Sequence, residues 1–133
     1  MFATINLEEF TEIIELFNQD NEEPCQAYIN MGRLFIEGTE RQSQLMLRFN
    51  PLLKCITIAT IQFAHTKKGY GSQLLQLLKE YANQNGYEKL CIESILTEEA
   101  YCFAIKHGFK KEGEEYSQDP ALKRFGNYFL EIK

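Results

Sequence analysis

The run CITIATIQF, residues 55–63, is followed within a few residues by GYGSQLLQLLKEYANQ, residues 69–84. The first is β-branched and apolar, and its weak alternation fits a central strand. The second places Leu74, Leu77, Leu78 and Tyr81 on one helical face, widened by Leu75 and Ala82, with Gly86 suited to the C′ position. A strand that enters a helix through so short a turn demands a sheet with a helical crossover. EKLCIESI then supplies the next strand, and LTEEAYCFAIKHG a further helix with Thr97 as N-cap and Gly108 as stop.

The first half reads differently. NLEEFTEIIELF is an amphipathic helix capped by Asn6, and NQDNEEP is a polar break ending at Pro24. QAYINMGRLFIEG and QLMLRFN alternate and are interrupted by Gly32, Gly38 and Pro51, so they read as two or three antiparallel strands. FKKEGEEY is a candidate strand, SQDPALKRFG a loop and NYFLEIK a closing strand. The order describes a mixed α/β layer fold, an α/β domain spanning residues 1–133.

Charge and cysteine usage narrow the function. A formal net charge of −5 argues against a general nucleic-acid binder, which needs a basic face. No two of Cys25, Cys55, Cys91 and Cys102 stand at CxxC spacing, so neither a zinc site nor a disulfide framework is expected. Free thiols in apolar runs suit a reducing cytoplasm. The start MFATINLEEF has no basic region and apolar signal core, and no window is long and apolar enough to span a membrane.

The strand-to-helix turn carries the chemistry. The first N–H groups of a helix have no intrahelical partner and sit at the positive end of its dipole. Gly69 and Gly71 allow close backbone approach, and Lys67 and Lys68 add charge. Such a turn can cradle a phosphate. Neither a Walker loop nor GxGxxG is present, since position 74 is leucine. A Gly-x-Gly turn also serves as turn chemistry alone, and these residues by themselves leave both readings open.

Residues 61–90, IQFAHTKKGYGSQLLQLLKEYANQNGYEKL, resemble the acetyl-CoA-binding core of the GNAT superfamily of N-acyltransferases. That family writes its loop Arg/Gln-x-x-Gly-x-Gly/Ala. Thr66-Lys67-Lys68-Gly69-Tyr70-Gly71 matches at both glycines and departs at Thr66. A second match follows on the next helix, where the family often carries Asn-x-x-Ala-x-x-Phe-Tyr-x-x-x-Gly-Phe. Here Thr97, Ala100, Phe103, Ala104, Gly108 and Phe109 occupy those places. The likeness covers about residues 55–110 and is only one of pattern before them. The family's tyrosine, a common general acid, is replaced by Ala104, and its asparagine by Thr97.

The resemblance implies a GNAT-like fold, a central mixed sheet with splayed parallel strands at 54–63 and 88–95, flanked by helices. It implies acetyl-CoA as cosubstrate and an amine acceptor, small-molecule or peptide. The loop from Thr66 to Ser72 would bind the diphosphate. Ile61 and Phe63 would run beside the pantetheine arm, and Thr97 and Phe103 would line the same cleft. Glu93 is the candidate base, at the carboxyl end of CIESI, where burial would raise its pKa. Strict alternation puts Cys91, Glu93 and Ile95 on one face and Leu90, Ile92 and Ser94 on the other; both faces are mixed, so the sequence leaves Glu93 open. His65 is a second candidate base, and His107 reads as a cation favouring a helix C-terminus. Tyr101, one turn before Ala104, is either a substitute acid or a packing aromatic. Glu114, Glu115 and Tyr116 are candidates to meet a cationic substrate. The edges of a splayed sheet make a homodimer an arrangement to test. Two rival functions stay open: a CoA-binding sensor or interaction module without catalysis, and an α/β domain whose Gly-x-Gly turn holds no ligand.

Overall fold

The computed structural model describes residues 3–66, 68–95, 97–112 and 126–132. The chain enters through a 3-10 turn at Leu7–Phe10, in which the Glu9 carboxylate accepts the Asn6 amide at 2.9 Å. Helix α1 follows at Thr11–Asn21. The helix runs through residues 18–21, where the sequence suggested a break. Its last-turn polar side chains are used rather than exposed: Asn18 Oδ1 accepts the Cys25 amide at 2.7 Å, and Asn21 Oδ1 the Thr39 amide at 2.9 Å. The helix stops at Glu22, which takes a left-handed conformation with φ 64°.

Strands β1 (Gln26–Asn30), β2 (Arg33–Glu37), β3 (Gln44–Asn50) and β4 (Cys55–Gln62) form an antiparallel run. Met31 and Gly32, with φ 54° and 72°, make the two-residue turn between β1 and β2. Helix α2 (Tyr70–Gln84) leads to β5 (Lys89–Ile95), and α3 (Glu98–Lys106) leads to β6 (Lys110–Lys111) and β7 (Gly126–Glu131). Among the described residues the sheet has seven strands in the order β1-β2-β3-β4-β5-β7-β6.

One side of this sheet makes the core. Leu34, Ile36, Leu45, Leu47, Ile56, Ile58, Leu90 and Ile92 alternate along their strands and pack in one cluster with Phe10, Ile13 and Phe17 of α1, Leu74 and Leu78 of α2, and Ala104 of α3. Each fully buried leucine or isoleucine there contributes about 1.5–3 kcal/mol. Residues of the opposite phase, such as Phe35, Met46, Arg48, Thr57 and Cys91, are only half-buried.

Two departures from regularity position the site. Strands β4 and β5 are parallel and pair from Cys55↔Lys89 to Ile58↔Ile92; further along, β4 reaches Gln62 with no described partner on its β5 side. The second is a bulge in β5. The register against β7 shifts between Ile92 and Ile95, Ser94 has φ 56°, and its amide donates to Asn127 Oδ1 at 2.8 Å. The extra residue corrects the expected alternation: Ile95 joins Leu90 and Ile92 in the core, while Cys91 and Glu93 point the other way.

Candidate functional site

The exit of β4 is held by a buried carboxylate. Asp20, with no exposed surface, accepts the amides of Ala64 at 2.7 Å and His65 at 2.9 Å, and the Ser43 hydroxyl at 2.5 Å. His65 Nδ1 lies 3.2 Å from the same carboxylate. Burial pushes the Asp20 pKa up, but these hydrogen bonds together pull it further down, so it lies below its ordinary value. Phe63 is pinned alongside, stacked on Phe17 at 4.8 Å and tilted against Tyr70 at 5.7 Å.

The chain then turns into α2 at Gly69, whose φ of 78° is one that L side chains adopt with strain. The first helical bond runs from the Gln73 amide to the Gly69 carbonyl, 3.0 Å. The amides of Tyr70, Gly71 and Ser72 precede it, and none of them, nor those of Thr66, Lys68 and Gly69, meets a protein acceptor among the described residues. At Gly71 a Cβ would sit 2.7 Å from the Phe103 ring. The glycine therefore lets the start of α2 close on α3. His107 strengthens this contact: its Nε2 is 3.2 Å from Ser72 Oγ, and its ring packs on Phe103 at 4.6 Å.

These elements enclose a cleft of about 400 Å³. Ile61, Phe63, Thr66, Lys68, Gly69, Tyr70, Gly71, Ser72, Thr97 and Phe103 all line it, so the structure brings together every described candidate for cofactor contact. Lys67, and Glu114, Glu115 and Tyr116, lie outside the described residues. Thr97 Oγ1 also caps α3, accepting the Ala100 amide at 3.1 Å. The cleft is completed by Gln62, His65, Ile92, Glu99, Ala100, Lys106 and His107, so one carboxylate shares it with the cations, and Lys106 is one that sequence reasoning left without a role. Its signal was present, as a cation in the last turn of a helix. His107 is corrected: burial lowers its pKa, as do Lys106 and Lys79 nearby, so it is a neutral tie between helices at neutral pH and not a capping cation.

The two catalytic candidates lie off this wall. Glu93 is not buried, as expected, but 39% exposed, and it pairs with Arg48 on the sheet face away from the helices. Regular alternation through residue 93 puts Glu93 in phase with Cys91, off the core side, and the bulge at Ser94 moves only Ile95. Tyr101 stands edge-on to Tyr128, with ring centroids 6.1 Å apart and planes at 75°. Ala104, where the resembling family has tyrosine, is fully buried. A larger, more open groove of about 930 Å³ lies between α1 and α2, but Glu12, Glu15, Glu22 and Glu23 would repel a phosphate there.

No protein-family model and no curated protein matches the sequence. Solved structures do. Nourseothricin acetyltransferase matches with a TM-score of 0.56 at 17% identity, over 76% of this chain and 65% of its own. Tetrahymena GCN5 gives 0.55 at 14%, over 98% and 91%, and the spermidine/spermine N-acetyltransferase SpeG from Vibrio cholerae 0.53 at 14%, over 99% and 93%. The fold is that of the GNAT acetyltransferases. This chain spans just under two thirds of the nourseothricin enzyme's length. In this GNAT fold the parted β4 and β5 and the glycine turn into α2 border one cleft, and the residues there suit a phosphate: amides without a protein acceptor among the described residues, at the start of a helix, with Lys68 beside them.

Proposed function

We propose that this protein is an acetyl-CoA-dependent N-acetyltransferase acting on a primary amine. The observation that carries the reading is that Thr66 and Lys68 to Ser72, whose amides meet no protein acceptor among the described residues, line a cleft beside the gap between β4 and β5. In it, the amides of residues 68–72 hold the diphosphate, with Lys67 and Lys68 as counter-charges. The unpaired edge of Ile61 to Phe63 hydrogen-bonds the pantetheine arm, and Thr97 and Phe103 wall the cleft. When bound, the cosubstrate supplies an activated acetyl thioester. A main-chain N–H near Phe63 stabilises negative charge on the carbonyl oxygen. Holding the two reactants in one gap supplies much of the acceleration.

Overall, the amine nitrogen gains the acetyl carbon, the carbon–sulfur bond breaks, and the amine's proton must leave. Glu93 takes that proton, and Tyr101 lends one to the departing thiolate. The free thiols of Cys25, Cys55, Cys91 and Cys102 fit work in the cytoplasm. Isothermal titration with acetyl-CoA, followed by thiol release over an amine panel, tests the reading. Heat of binding and thiol release with at least one amine are expected; no binding at millimolar acetyl-CoA would overturn it.

One observation favours a second reading. Ala104 is packed in the core and carries no hydroxyl, so a leaving-group acid is missing where the resembling family has one. A CoA-binding sensor or interaction module of the same fold would bind the cosubstrate and release no thiol with any amine.

A further inference from the structure

The geometry points to an acceptor that is a compact amino acid, its carboxylate held by Arg33 and Arg48 and its ammonium by Glu93. The inference rests on the acetyltransferase reading and deepens it. Arg33 of β2 stands directly opposite Arg48 of β3, and Arg48 opposite Thr57 of β4. Thr57 immediately precedes Ile58, where β4 and β5 make their last parallel pair. This row therefore runs across the helix-free side of the sheet to the mouth of the gap, opposite the helices that wall the cofactor cleft.

Like charges placed directly across an antiparallel ladder repel one another. Only one described carboxylate answers these two: Glu93 of β5 pairs with Arg48, and Arg33 has no ion pair among the described residues. One net positive charge is left in a chain whose formal net charge is −5. Arg48 Nε is buried and has no hydrogen-bond partner among the described residues, an orphan donor on a guanidinium otherwise engaged at its far end. Both arginines border a cavity of about 240 Å³, with Asn50 and Thr57 on its wall; Glu93 stands outside that wall, joined to it through its pair with Arg48.

A guanidinium fork takes a carboxylate in two parallel bonds. The surplus of one charge suits a monoanionic carboxylate better than a dianionic phosphate. The Arg48–Glu93 pair is itself a contact between a cation and an anion. An amino acid presents the complementary pair, ammonium beside carboxylate, and can insert by exchanging one ion pair for two. This places its amine on Glu93 at the gap, where the acetyl group would arrive from the other side.

Two measurements test this. In the first, the proteinogenic amino acids are titrated at millimolar concentration into isotopically labelled protein without acetyl-CoA. At least one should shift the backbone amides of Arg33, Arg48 and Thr57, and Arg33→Gln should remove the shifts. In the second, thiol release is compared for each amino acid and its decarboxylated amine. The best amino acid should exceed its amine by about 100-fold in kcat/KM, and Arg33→Gln should cut that preference at least about tenfold, mainly through KM. Arg33→Lys should restore part of it. Equal turnover of amine and amino acid, or equal loss on both with Arg33→Gln, would overturn the inference while leaving the acetyltransferase reading standing. Failure to bind acetyl-CoA would overturn that reading, and amide shifts with amino acids alone would then report the anion site separately.

Discussion

Asp20 is the residue on which the site's geometry rests. Its carboxylate is buried and reaches Ala64, 44 positions along the chain, so it ties the end of α1 to the exit of β4. Asp20→Asn keeps the shape but loses charge-assisted bonds, and should cost roughly 3 kcal/mol in urea unfolding. The sign of its pH effect follows from a folded pKa below the unfolded one. The stabilisation is complete above the unfolded carboxylate range and is lost as pH falls through the lowered folded value, so Asp20→Asn should flatten the acid limb of a stability–pH curve. Gly71 makes a different demand. Gly71→Ala drives a methyl into Phe103 and should weaken acetyl-CoA at least about tenfold; Phe103→Ala in the same chain should recover stability. His107 titrates below its ordinary value in the free protein. A diphosphate beside it would raise that value, so acetyl-CoA should bind more tightly as pH falls from neutrality through the histidine range, and His107→Gln should abolish the trend.

At the scale of elements, the parting of β4 and β5 and the bulge in β5 decide which side chains meet which compartment. Glu93 faces the helix-free side with Arg48 by plain alternation, and the residue added at Ser94 returns Ile95 to the core. The elements themselves were largely readable: the strand–glycine turn–helix unit, the C-terminal helix and the alternating strands stand as expected. What was not readable came from distant partners. The polar run 18–21 looked like a break because nothing local shows that Asn18, Asp20 and Asn21 will satisfy Cys25, Ala64 and Thr39. The bulge depends on Asn127, 33 positions away, and alternation alone could not foresee it. The lining of the cleft was legible because its residues are contiguous in two motifs; the cluster of Arg33, Arg48 and Glu93 was not, because it comes from three strands. On α3, Tyr101→Phe should slow turnover with little change in acetyl-CoA affinity, read by comparing kcat with a titration. Unchanged turnover would return Tyr101 to packing against Tyr128.

The whole molecule is a layer of helices on one side of a mixed sheet, with a cleft where two parallel strands part. Among the described residues no helix is long and apolar enough to cross a membrane. Its net negative charge makes the cations Lys68 and Lys106 at the cleft more telling, since an anion would otherwise be repelled. A ligand bound only by the folded chain stabilises it by about 2.7 kcal/mol at 100 times Kd. For a domain of this size that should raise Tm by roughly 10 °C with saturating acetyl-CoA. The most direct measurement is a titration of isotopically labelled protein with acetyl-CoA, followed at the backbone amides. The account predicts saturable shifts that are largest at Thr66 and Lys68 to Ser72 and extend to Ile61–Phe63. Unmoved amides there at millimolar acetyl-CoA, or shifts confined to the acidic groove between α1 and α2, would contradict it.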